Sequence, residues 1–297
     1  FSIIKDRERH EICLKGEGYS CHEGGVTMSI ITLSRHMWAG AEEIVEIICR
    51  EMGYISVDKE KIGQTVAESG FQFAIVEKYD EKKPSFWAFL SGERLRMVRV
   101  IQLAICDLAR RGNVIIIGRG ANILLKDIPG ILRVRIIAPW RVRVRNMART
   151  GKKEDEIEEF LRQRDRDSEG FVRHYYHFDL NDPLLYDLII NTANMPYEEA
   201  AQLIMASRRA MDASTDATEV HSKVFDLSLK MKIELALTDE AGVDISTIQV
   251  DVDHANVVLS GFLAEAAIRR NCETAISKIE GIKRIENRIG ILPAVVG

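Results

Sequence analysis

The chain has 297 residues, with 41 Lys and Arg against 45 Asp and Glu, a net charge of −4, and 46% hydrophobic residues. Its length predicts two domains, and its charge gives no general reason to bind nucleic acid. No apolar run is long enough to span a bilayer, and residues 1–10 are too charged for a secretory signal.

The cysteines Cys13, Cys21, Cys49, Cys106 and Cys272 have no paired spacing, which points to a reducing cytoplasm rather than a disulfide framework. Cys21-His22 is a weak metal hint, better read as a thiol in a loose segment. Residues 1–27 have no helical or strand period and read as an N-terminal extension. Met28 is read as the natural start, because Glu23-Gly24-Gly25 would be encoded by a purine-rich stretch where a bacterial ribosome-binding site lies.

The first strand, 29–33, feeds a polar loop, 34–41, and then a helix from Glu42 with Ile44, Ile47, Ile48 and Met52 at helical spacing. Strand, loop and helix in that order suit a phosphate, because a helix N-terminus offers unpaired N–H groups and partial positive charge. The loop departs from G-x-x-x-x-G-K-[ST]. Arg35 stands at the first glycine, Ala41 at the lysine and Glu42 at the hydroxyl. Trp38 adds bulk where a backbone should approach a ligand closely.

Strands are expected at 54–57, 114–117, 132–138 and 187–191. Helices are expected at 59–69, 71–79, 93–111, 140–149, 153–166 and 196–211. This alternation predicts an α/β fold with a doubly wound parallel sheet and a ligand site at the carboxyl ends of the strands. Gly118-Arg119-Gly120 follows an uninterrupted apolar strand and suits a phosphate contact through a guanidinium fork. Arg162, Arg164, Asp165 and Arg166 on a helix end, with Arg173 and His174 in the loop beyond, can close over phosphates; a salt-bridged helical face is the competing reading. Six arginines between Arg133 and Arg149 read as an exposed face balanced by the acids of 154–159. His174, Tyr175, Tyr176 and His177 read as packing residues before base-stacking ones.

Residues 212–221 begin small and polar and read as a linker. Beyond them a helix carries Val224, Leu227, Met231 and Leu235. An alternating strand (248–253), a neighbour (257–260), a helix (264–279) and a last strand (285–291) complete a small α+β unit of antiparallel hairpin character.

With these stretches in order, residues 28–211 resemble the cytidylate-kinase-like family of P-loop kinases. The resemblance rests on Ile31-Thr32-Leu33-Ser34-Arg35 with Gly40, Gly53 to Glu60, Val114 to Asn122, Asp127 to Gly130, and Asp182 to Thr192. It implies a five-stranded parallel nucleoside monophosphate kinase sheet with a lid, ATP and Mg²⁺ on the donor side, and a pyrimidine monophosphate such as CMP as acceptor. It places Ser34, Arg35, His36, Gly40 and Ala41 at the donor phosphates and Asp58, Gly118, Arg119 and Asp165 at the acceptor. It assigns catalytic positions to Arg119, Arg164, Arg166 and Arg173. Residues 222–297 resemble a BON domain, which implies a phospholipid or protein partner. Three readings follow: an active kinase with an unusual loop, a weak or inactive nucleotide sensor that signals through the second domain, and a scaffold with no ligand.

Overall fold

The computed structural model describes residues 21–22, 25–26, 28–68 and 92–292. The helix expected at 71–79 lies outside them. A two-residue antiparallel pairing joins Cys21–His22 to Gly25–Val26, inside the segment read as structureless.

The strands β1 (Ile30–Arg35), β2 (Ile55–Val57), β3 (Val114–Ile117), β4 (Ile131–Ile137) and β5 (Leu188–Asn191) form one parallel sheet in the order β2-β3-β1-β4-β5. Parallel strands need covered crossovers, and helices lie on both faces. On one face α1 (Ala41–Met52) and α7 (Tyr197–Asp212) pack Ile44, Ile48, Ile204 and Met205 onto Ile31, Leu33, Val134 and Ile136. On the other, α2 (Lys59–Glu68), α3 (Gly92–Ala109) and α4 (Ala121–Leu124) bury Ile62, Val100, Ile105 and Ala121 with Ile30, Val114 and Ile116. After β4 come α5 (Trp140–Ala148) and α6 (Glu154–Tyr176). The sequence reading ended α6 at 166. The helix runs ten residues further, so Arg173 and His174 lie on it rather than in a loop. Gly170 masks the period, but Phe171, Val172 and Tyr176 continue the apolar stripe that packs with Ile123 and Leu185.

Only 213–216 separate α7 from α8 (Ala217–Asp239), so α8 begins inside the range read as linker. Asp216 caps α8 by accepting the Thr218 N–H at 2.8 Å. In the second unit β6 (Ile248–Asp253) pairs antiparallel with β7 (Asn256–Leu263). The last strand, β8 (Arg284–Ile291), pairs parallel with β7, so the sheet is mixed rather than purely antiparallel. The crossover is α9 (Ala266–Ile276), whose Cys272, Ala275 and Ile276 share a core with Val250, Leu259 and Ile289.

Helix α8 belongs to both cores. Val220, Val224 and Leu235 are buried with α3, whereas Ile233 and Leu237 are buried with β6 and β7. Ser228 Oγ donates to Asp107 Oδ1 at 2.8 Å, and Arg99 pairs with Glu234 at 3.7 Å.

Candidate functional site

The turns after β1 and β3 meet at one end of the sheet, where Leu33 O accepts the Gly118 N–H at 2.9 Å. In the β1 turn, three successive carbonyls are held from outside. Met37 O accepts from Arg143 Nε at 2.9 Å, Trp38 O from Asn146 Nδ2 at 3.0 Å, and Ala39 O from Thr192 Oγ1 at 2.8 Å. On the other side, the N–H groups of Met37, Trp38, Gly40 and Ala41 meet no acceptor among the described residues. Helix α1 starts on Gly40 at φ 82°, without a side-chain cap. A Cβ at Gly40 would overlap the Tyr197 ring, so the position requires glycine for both conformation and space. The loop thus forms an amide cradle at a helix start.

Trp38 adopts φ 63°, costly for a bulky residue. Its side chain is committed to a hydrophobic cluster. It packs against the buried cluster of Met147, Ile157 and Leu161 that joins α5 to α6, as Met37, Trp140, Val144 and Phe160 also do. The loop is fastened to α5 and α6 through its own side chains.

The charges expected to face phosphate are engaged with neighbours. Arg35 Nε donates to Glu42 Oε1 at 2.9 Å. Asp165 accepts a bidentate pair from Arg143, at 2.9 and 2.8 Å. The Arg164 guanidinium lies over the Phe160 ring, 5.3 Å from its centroid, and Arg166 Nη2 donates to Gln163 Oε1 at 2.9 Å. Arg173 is exposed on α6. Asp58 caps α2 by accepting the Lys61 N–H at 2.9 Å. Ser34 accepts from Arg135 Nη1 at 3.0 Å, and Ala41 is buried under the first turn of α1. His36 lies beside Arg135, and burial, then Arg143 and Arg135, hold its imidazole below the ordinary histidine value, so it is neutral near pH 7.

Gly118, Arg119 and Gly120 all take positive φ, at 72°, 57° and 72°. The turn is clamped by Tyr176, whose hydroxyl donates to Arg119 O at 3.2 Å. Burial pushes that phenol up to about 12, so it stays a donor at any physiological pH. A Cβ at Gly120 would overlap the Tyr176 ring.

Sequence reasoning missed Arg135, Arg143, Asn146, Thr192 and Tyr197 as residues of this site. Arg135 and Arg143 belonged to a stretch read as an exposed face, yet they are 4% and 3% exposed. Arg135 is on β4, beside Ser34 in the sheet register, and Arg143 faces the loop from α5. The signal available was the helical spacing of Arg143, Asn146 and Met147, all three buried.

Mg²⁺ would use the loop hydroxyl position of a phosphate loop. Here that position is Glu42, held by Arg35, and no group of three His, Cys, Asp or Glu among the described residues could cage a metal. No helix among the described residues is long and apolar enough to cross a membrane.

A profile of the cytidylate kinase-like family matches residues 30–194, and a BON domain profile matches residues 226–293. The cytidylate kinase of Pyrococcus horikoshii is 27% identical over 190 residues, covering 63% of this chain and 92% of that protein. The cytidylate kinase of Methanosarcina barkeri is 33% identical over 76 residues, covering 25% of this chain and 42% of that protein. A shikimate kinase structure from Acinetobacter baumannii aligns over 61% of this chain and 93% of that one, at 16% identity and a TM-score of 0.37. The match at 30–194 spans more than half of the 297 residues, and the chain belongs to the cytidylate kinase-like family, with a BON domain following the kinase-like unit.

Proposed function

We propose that the first unit binds the phosphates of a nucleotide in the 34–41 loop and transfers phosphate slowly or not at all, so that it acts as a nucleotide sensor. The observation that carries this reading is the Arg35–Glu42 ion pair at the mouth of the amide cradle. The cradle is intact, which supports anion binding. The loop has no lysine, and its arginine is neutralised by a carboxylate standing on the helix N-terminus. Phosphoryl transfer depends on positive charge gathered around the moving phosphoryl group. A negative first turn opposes that charge development and competes for the helix dipole. The bound state would reach the BON domain through α8, and that domain would dock a phospholipid or protein partner. A cytoplasmic location goes with this reading.

The second reading is an active kinase that uses ATP with Mg²⁺ to phosphorylate CMP or a related pyrimidine monophosphate. It is favoured by the arginines of α6: Arg164 and Arg166 are held only by a ring and an amide and could turn toward a ligand. The relatives named cytidylate kinase support the same acceptor. The two readings separate in one assay series. Thermal stabilisation is measured with ATP, ADP and CMP, and then ATP-dependent formation of CDP from CMP is followed with Mg²⁺ present. Stabilisation without turnover is the expected result. Turnover at ordinary kinase rates would replace the sensor with the enzyme, and no stabilisation by any nucleotide would remove both.

A further inference from the structure

Three arginines of the kinase-like unit each face a carboxylate: Arg35 faces Glu42, Arg133 faces Asp187 and Arg143 faces Asp165. Arg135 does not. Its Nη1 donates to Ser34 Oγ and to the Tyr186 hydroxyl, both at 3.0 Å. Its Nη2 donates to Asn181 Oδ1 at 2.9 Å and lies 3.4 Å from His36 Nε2. Its guanidinium also stands 5.3 Å from the centroid of the Tyr186 ring. Every one of these partners is neutral, and among the described residues no carboxylate comes within ion-pair distance. The residue is 4% exposed. A buried guanidinium is costly unless its charge is met, and hydrogen bonds to neutral groups satisfy its donors without meeting the charge.

The place of this cation matters. Ser34 and Arg135 are partners in the parallel register of β1 and β4, so the guanidinium sits beneath the first residue of the amide cradle. Gly118 lies on the opposite side of β1, on the end of β3. We propose that Arg135 is the phosphate-binding cation of this site, standing in for the loop lysine that the chain lacks, with a ligand phosphate displacing His36 from it. This rests on the phosphate-binding reading of the loop given above. The His36 contact is the longest of the four, and a charged phosphate oxygen makes a stronger bond to a guanidinium than a neutral acceptor does. Ser34, Tyr186 and Asn181 fix the plane of the fork, so binding need not order a free side chain.

A purely structural role is the rival: the same bonds staple the end of β1 to the segment at 181–186. Thermal-shift and calorimetric titration of the full chain with inorganic pyrophosphate and with ATP, at low salt, separates the two. Wild type is expected to be stabilised by both. Arg135→Gln is expected to bind pyrophosphate roughly 10- to 100-fold more weakly, the loss of one charge-assisted contact. Arg135→Lys, which keeps charge but not the fork, is expected to stay within about tenfold of wild type. His36→Ala removes the competitor and is expected to bind more tightly. If wild type is stabilised and Arg135→Gln binds pyrophosphate equally well, Arg135 is a staple: this inference falls and the nucleotide reading stands. If wild type responds to neither probe, both fall. Should Arg135→Gln fail to fold, a loss beyond about tenfold in Arg135→Lys, or no gain in His36→Ala, overturns the inference.

Discussion

Replacing Glu42 with glutamine tests the electrostatic argument directly. The Arg35 and Glu42 side chains are 25% and 53% exposed, so their ion pair is a surface pair worth about 0–1 kcal/mol. Glu42 also sits in the first turn of α1, where a carboxylate gains about 0.3–1 kcal/mol from the helix dipole. Glu42→Gln should therefore destabilise the ligand-free protein by about 1 kcal/mol, a shift of roughly 2–4 °C in melting temperature. The effect on anion binding has the opposite sign. A unit charge about 5 Å from a phosphate, at an effective dielectric of about 20–40, repels it by roughly 2–3 kcal/mol, and screening at an exposed position reduces this to about 1–2 kcal/mol. Removing that charge, and releasing Arg35, should tighten ATP binding roughly 5- to 30-fold, measured by titration calorimetry. A variant that is less stable yet binds better is the signature. Unchanged or weaker ATP affinity in Glu42→Gln would show that the pair does not guard the cradle, and the reasoning behind the sensor would fail.

Asp165→Ala leaves the buried Arg143 guanidinium without its bidentate carboxylate; because Asp165 is itself 30% exposed, the expected cost is about 2–4 kcal/mol in chemical denaturation, and a loss below about 1 kcal/mol would remove the buried-pair account. Gly120→Ala forces a Cβ into the Tyr176 ring at φ 72° and should cost about 2–3 kcal/mol, with faster hydrogen exchange at the end of α6; a neutral result would mean the clamp yields freely. Burial would raise the Asp187 carboxyl, but hydrogen bonds from the Arg133 side chain and N–H hold it below the ordinary range. A depressed carboxyl stabilises the folded state above its unfolded pKa of about 3.8 and loses that contribution as pH falls through the folded value. The melting-temperature gap between wild type and Asp187→Asn should therefore be largest near neutrality and shrink below about pH 4; a constant gap across pH 2–7 would count against the pairing.

What the sequence made legible were features written in short windows. The run Val114-Ile115-Ile116-Ile117 is buried on both faces, as an uninterrupted apolar strand between turns should be. Gly40 and Gly120 are glycines because each start of a following helix is left-handed and faces an aromatic ring. The pairings that close the site were not legible, because each joins residues far apart in the chain. Arg143 meets Asp165 across 22 positions and Arg135 meets Ser34 across 101. In the sequence these arginines look like an exposed basic stretch, since helical period alone does not say which polar residues of an amphipathic face are buried against a loop. Trp38 was read as an obstruction for the same reason: bulk is visible in a sequence, but the direction of its side chain is set by a left-handed backbone and by packing against α5 and α6. The direction of β8 was missed because a parallel partner and an antiparallel one carry the same alternation.

The arrangement of α3 makes the division into a kinase-like unit and a BON domain less separable than the chain order implies. Gln102 and Cys106 of α3 lie beside the Tyr176 phenol, and Tyr176 clamps the turn that carries Arg119. Through Asp107 and Arg99 the same helix holds Ser228 and Glu234 of α8. On the same stretch of α8, Ile233 and Leu237 are core residues of the BON sheet. A displacement of the 118–120 turn therefore has only packed, hydrogen-bonded elements between it and the second core. Cores packed this closely do not deform continuously, so such a displacement either is absorbed at Tyr176 or moves α3 and α8 together. Burial of Glu234 sharpens that choice. Its carboxyl is raised by desolvation more than Arg99 lowers it, so the contact between the helices already holds a charge short of solvent. A ligand that bound equally well to both positions of α3 would shift nothing. Signalling to the BON domain would require that phosphate in the cradle favour one position of the Arg119 turn over another, and that turn is held by positive φ values at Gly118, Arg119 and Gly120 and by the Tyr176 ring against Gly120.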